Sequence, residues 1–180
     1  MKELSLNILD IAQNSVKAQA KRLTIALERE KNWLTVTITD DGVGMSPEFM
    51  AAAANPFTTT RTTRKVGMGL PLFKLAAEQT GGSFAIESRQ AQFEGDEHGT
   101  SVTATFDTDH VDCEPLGDIV STILTLIQGN PDLSLTYIKS GDGEEQRLST
   151  DEMREILGED VPLNSPEVLA WVRAFLSGEA

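Results

Sequence analysis

Cysteine is almost missing from this chain of 180 residues. Cys113 stands alone, so no internal disulfide can form and no metal-ligand spacing exists around it. A reducing, cytoplasmic setting is the expectation. Long apolar runs are missing too: none approaches the ~18 to 20 residues a membrane span needs. The stretch Met1 to Val16 mixes Lys2, Glu3 and Asp10 among its apolar residues, unlike a secretory leader. Positive charge is scarce, with 15 Lys and Arg against 28 Asp and Glu, a net charge of -13. The deficit is uneven: residues 1–106 carry 11 basic and 12 acidic residues, whereas residues 107–180 carry 4 and 16. An acidic surplus repels phosphate backbones, which argues against direct nucleic-acid binding, and its step suggests two units. With 39% hydrophobic and 24% charged residues, composition is that of an ordinary globular protein and excludes collagen-like, low-complexity and coiled-coil classes.

The hydrophobic pattern divides the chain into elements. From Glu3 to Ala18, Leu4, Leu6, Ile8, Leu9, Ile11, Ala12 and Val16 outline one side of a helix, and Asn7, Asp10, Asn14 and Lys17 recur at spacings of three and four as a polar stripe. Leu23, Ile25 and Leu27, then Leu34, Val36 and Ile38, alternate with polar residues and predict a hairpin. After Asp40-Asp41-Gly42-Val43-Gly44, the Ser46-Pro47-Glu48 sequence opens a short helix. Residues 55–69 have no period and read as a loop, Leu70 to Thr80 as a helix stopped by Gly81-Gly82, and Ser83–Arg89 and Thr100–Phe106 as strands. Beyond Asp107 the pattern predicts a helix over Leu116–Gln128, a hairpin turning at Ser140–Gly143, and two helices capped by Ser149 and Ser165.

Four separated signals follow one another: Asp10-Ile-Ala-Gln-Asn14-Ser-Val-Lys17, Asp40-Asp-Gly42-Val-Gly44-Met45, Asn55-Pro56-Phe57 through Gly67-Met68-Gly69-Leu70, and Gly99-Thr100. In this order, and alternating with fitting helices and strands, they resemble the Bergerat-fold (GHKL) ATPases, the group of gyrase, Hsp90, histidine kinases and MutL proteins. The resemblance spans roughly residues 3–106. It implies a two-layer α/β sandwich, helices on one face of a mixed, mostly antiparallel sheet, with ATP and Mg²⁺ as cofactors.

Residue by residue, the resemblance gives Asn14 the place of the magnesium-binding asparagine, whose neutral amide oxygen suits a hard cation that keeps most of its waters. Lys17, one turn on, resembles the kinase branch, where a lysine approaches the phosphates. Asp10 shares the face of Asn14 and departs from the family: hydrolases carry glutamate there as general base, most histidine kinases asparagine. Aspartate keeps the carboxylate on a shorter stem, and whether it activates a water or supports the metal stays open. Asp40 stands where the family's aspartate accepts from the adenine amine, a pairing that would favour ATP over GTP, whose base presents an acceptor instead. Gly42, Gly44 and Met45 form the turn beside it. Phe57, Arg61, Arg64, Lys65, Gly67, Met68, Gly69 and Leu70 fall in the lid, where helix-start N–H groups and basic side chains would face phosphates. Lys65 replaces the first of three alternating glycines of the histidine-kinase pattern. Thr100 belongs to the last glycine box, at the pocket floor.

Neither His98 nor His110 lies in a phosphoacceptor helix; both read as surface histidines, and Cys113 in its acidic setting as inert. The resemblance implies an ATP-binding domain over residues 1–106 and leaves residues 107–180 as a small acidic α/β domain that matches no motif. Its carboxylates suit either a basic partner surface or a solvated shell. Three functions remain open: a signalling kinase acting on a separate protein in trans, an ATPase switch, and a nucleotide sensor without turnover. A homodimer is open as well.

Overall fold

The computed structural model describes residues 3–53, 69–91 and 97–179. Helix α1 (Leu4–Lys17) turns Leu4, Ile8, Ile11 and Ala12 into the interior. Its starting residue Glu3 makes no side-chain cap. Backbone carbonyls from far along the chain take that role: Leu4 N donates to Pro115 O at 2.9 Å and Ser5 N to Leu116 O at 2.8 Å. Strands β1 (Arg22–Glu30) and β2 (Trp33–Asp40) form the expected hairpin. Helix α2 (Pro47–Ala53) follows, with Phe49 N donating to Ser46 Oγ at 3.2 Å as its cap. Then come α3 (Gly69–Gln79), β3 (Phe84–Arg89) and β4 (Gly99–Asp107).

The second part supplies α4 (Ile119–Gly129), β5 (Ser134–Gly141), β6 (Glu144–Ser149), α5 (Thr150–Leu157) and α6 (Pro166–Leu176). Helix α4 begins three residues later than its apolar pattern does. Asp118 caps it instead, accepting from Ser121 N at 2.9 Å and Ser121 Oγ at 2.6 Å, bonds that hold its pKa below the usual carboxylate value. Ser149 caps α5 as the pattern predicts, but Ser165 makes no capping bond at α6, where Pro166 alone marks the start.

Among the described residues, six strands join one sheet in the order β3-β4-β2-β1-β5-β6. Every pairing is antiparallel except β1 with β5, so the sheet is mixed and mostly antiparallel, as expected. Residues 107–180 therefore extend the existing sheet. In register, Tyr137, Ile25, Ile38, Val102 and Ile86 form a row across it. Because strand side chains alternate, this row and its neighbours bury one face under the helices, while Thr24, Thr35, Thr37, Thr103 and Thr105 occupy the other. Phe73 of α3 meets Phe106 of β4 with ring centroids 5.3 Å apart. Thr150 ties α5 to β5, accepting from Leu135 N at 2.8 Å and donating to Leu133 O at 2.9 Å. At about 1.5–3 kcal/mol for each large apolar side chain withdrawn from water, the shared core is the main stabilising term.

Candidate functional site

The C-terminal half of α1, the end of β2, the turn after it, and the starts of α3 and β4 surround a cavity of about 330 Å³. Asn14, Lys17, Asp40, Gly44, Met45, Leu70 and Thr100 line it. Apolar walls come from Ile38, Val43, Phe49 and Val102. Seven of the residues singled out in the sequence thus meet in one place. Gly42 is buried in the adjoining turn. Asp10 lies half-buried beside the cavity, against the start of α3: a β-carbon on Gly69 would stand 2.9 Å from its own. Phe57, Arg61, Arg64, Lys65, Gly67 and Met68 lie outside the described residues.

Two successive aspartates end β2, and the structure separates their roles. Asp41 Oδ1 accepts from Lys21 N at 2.7 Å and Arg22 N at 2.9 Å, which turns it toward the entry of β1. Asp40 faces the cavity; its Oδ2 accepts from Ser15 Oγ at 2.5 Å and its Oδ1 from Gly42 N at 2.8 Å. A carboxylate offers about four lone-pair directions, so each oxygen retains capacity for a ligand donor. Ser15 is only 3% exposed and gives no signal in the sequence, because it sits among the buried residues of α1.

The turn after Asp40 is pinned on several sides. Val43 N donates to Ala18 O at 2.9 Å, Ala91 N to Val43 O at 2.7 Å, and Met45 N to Ser88 Oγ at 2.8 Å. Gly44 has φ of 76°, and a β-carbon there would fall 2.0 Å from Arg89 O, so only glycine fits. A β-carbon on Gly99, with φ of 143°, would fall as close to Asp40 O. His98 is no loose surface histidine: its ring Nδ1 hydrogen-bonds Gly42 O and braces the turn. Thr100 Oγ1 shares a 2.8 Å hydrogen bond with Ser88 Oγ, so the hydroxyl at the cavity floor is held in place.

The polar stripe of α1 is also less uniform than its spacing suggests. Lys17 is exposed, Asn14 half-buried, and Asn7 only 1% exposed, with an Oδ1 that has no hydrogen-bond partner among the described residues. Cys113 fits the inert reading for a further reason: burial first, then the charges of Asp107 and Glu114, push its thiol pKa up.

A strand-end carboxylate thus stands between apolar walls, with an amide and an ammonium on the neighbouring helix, in a cavity of a two-layer α/β fold. The chain belongs to the family of histidine kinase-, DNA gyrase B-, and HSP90-like ATPases, whose model matches residues 2–110. Among relatives, the C4-dicarboxylate transport sensor protein DctB of Pseudomonas aeruginosa is 35% identical over 74 residues, 40% of this chain and 12% of that protein. The sensor histidine kinase ZraS of Salmonella typhimurium is 29% identical over 84 residues, 45% of this chain and 18% of that one. The chain thus matches less than a fifth of either relative's length. The fold is that of the Aquifex aeolicus MutL ATPase domain complexed with ADP: TM-score 0.58 at 15% identity, over 87% of this chain and 69% of that one. No helix among the described residues is long and apolar enough to cross a membrane.

Proposed function

We propose that the cavity binds ATP with Mg²⁺ and that the protein is a signalling kinase acting on a separate protein. The observation that carries the nucleotide reading is Asp40, held by Ser15 and Gly42 with acceptor capacity directed into a cavity of apolar walls. Adenine's exocyclic amine satisfies that acceptor, and the base stacks against Met45, Phe49 and Val102. Asn14 and Lys17 then lie on the helix flanking the phosphates. Magnesium keeps several waters and takes few protein ligands beside substrate phosphates. Asn14 and Asp10, hard oxygen donors one helical turn apart, would hold it. Bound magnesium would neutralise charge on the terminal phosphates.

The kinase reading draws on Lys17 and on sensor-kinase relatives; the acceptor then comes from another protein. Asp10 favours a second reading, an ATPase switch, because a carboxylate beside the start of α3 can take a proton from water where asparagine cannot.

The test follows the label of γ-labelled ATP, incubated with Mg²⁺ and pure protein beside an Asp40→Asn control. Asparagine turns an amide donor toward the adenine amine, and ATP affinity should fall about 100-fold or more in titration calorimetry, about 2.7 kcal/mol. Label moved to an added protein supports the kinase, and free phosphate lost in an Asp10→Asn variant supports the switch. Normal ATP binding by Asp40→Asn would sink the site assignment.

A further inference from the structure

An apolar hollow lies away from the nucleotide cavity, between α5 and α6, with about 590 Å³ of space. Met153 and Val168 form its buried floor. Its walls are large apolar side chains left in water: Ile156 is 84% exposed, Trp171 50%, Leu157 38% and Val161 37%. Trp171 stacks on Phe175 with centroids 5.2 Å apart and planes 11° from parallel, which fixes the indole at the groove's edge. Isolated exposed apolar residues are ordinary, but a contiguous apolar patch is the kind of feature that marks interaction sites.

Acidic residues stand in the groove's lining and next to it in the chain. Glu167 lines the groove, Glu155 precedes Ile156, and Glu159 with Asp160 forms the link between Leu157 and Val161. All four are exposed, and none makes an ion pair or side-chain hydrogen bond among the described residues. Residues 150–180 contain seven Asp and Glu against two Arg. One of the two, Arg154, is spent on Asp151 and on the carbonyls of Pro131 and Leu133.

We infer that the α5–α6 groove docks a basic amphipathic helix of a partner protein. Two helices with an apolar furrow between them leave the seat of a third, whose apolar stripe fills the furrow while lysines or arginines beside that stripe meet these acidic residues. A second copy of this chain would bring like charge against like, with -13 on each molecule. An anionic lipid surface is repelled by the same carboxylates. The inference stands apart from the nucleotide reading, since no groove residue lines the nucleotide cavity.

The test uses the full chain without nucleotide and a fluorescein-labelled Leu/Lys amphipathic peptide of about 18 residues, roughly five helical turns. Binding is read by anisotropy and, in a Trp33→Phe background that leaves Trp171 as the sole indole, by tryptophan emission. A Leu/Glu peptide of the same apolar pattern and a scrambled Leu/Lys peptide serve as comparisons. The Leu/Lys peptide should bind with a blue shift of Trp171 emission, and the other two at least about tenfold more weakly. Ile156→Asp should cost at least about tenfold although it adds negative charge; simple attraction between opposite charges would strengthen binding instead. Neutralising the acidic residues with Glu155→Gln, Glu159→Gln, Asp160→Asn and Glu167→Gln should weaken binding and flatten its salt dependence. Circular dichroism checks each variant, and Trp171→Ser replaces Ile156→Asp if the latter unfolds. Equal binding of the Leu/Glu or scrambled peptide, or undiminished binding by Ile156→Asp, overturns the inference. So does self-association in sedimentation that Ile156→Asp abolishes, or capture by anionic vesicles.

Discussion

Asp40 and Asp41 are chemically identical neighbours, and only their partners distinguish them. Asp41 is consumed by two backbone N–H groups, whereas Asp40 is aimed at the cavity by a serine 25 residues earlier in the chain. Removing that serine gives the residue-scale prediction. Ser15→Ala should leave the fold intact and weaken ATP binding about tenfold, about 1.4 kcal/mol, by releasing Asp40 Oδ2. Calorimetry in the Asp40→Asn background checks the route: there Ser15→Ala should cost almost nothing, because the two act through one carboxylate. At this scale the sequence pointed to Asp40, Asn14, Lys17, Leu70 and Thr100, which line one cavity, because a strand end, a helical spacing and a glycine turn are local patterns. Ser15 and His98 were hidden, because a hydrogen bond to a residue 25 or 56 positions away leaves no mark on the neighbours of either.

Elements were legible wherever an apolar period ran between clear stops, as in the β1–β2 hairpin and in α5 with its Ser149 cap. The pattern and the structure part where backbone groups are needed elsewhere. The apolar period of α4 reaches back to Leu116, yet the Pro115 and Leu116 carbonyls serve α1, so the helix starts only after Asp118. Strand β5 carries a prediction of its own. Tyr137, 2% exposed and paired with Ile25, has its pKa pushed by burial from 10.0 up to about 12. A raised pKa means that the folded state holds the phenol proton more tightly. The corresponding stability is fully present below pH 10 and is lost as pH rises through about 12, a change of roughly 3 kcal/mol at two pKa units. Urea melts between pH 9 and pH 12 should show this slope, and Tyr137→Phe should remove it.

For the molecule as a whole, the charge step near residue 107 and the continuity of the sheet point in different directions. The step is a property of side chains; ladder pairing is a property of the backbone and ignores it. Strand β5 pairs with β1 along eight register positions, from Arg22 with Ser134 to Arg29 with Gly141. Cutting the chain after residue 110 would keep the span that matches the family model and yet bare β1 and the apolar residues packed beneath it. Such a fragment should melt at least about 10 °C lower than the full chain and aggregate on sizing columns. A fragment that matched the full chain in both measurements would make the acidic part a true appendage.

Helix α1 is the rod that joins these scales. Its first N–H groups are bonded to the linker at Pro115 and Leu116, and its last turns carry Asn14 and Lys17 at the cavity. Fourteen residues of helix make a strut about 21 Å long, stiff because its hydrogen bonds run along its axis. One end is clamped by a segment that leads straight into α4, and the other carries side chains at the cavity. The strut therefore fixes how far those side chains reach by a measurement made at the opposite end of the helix.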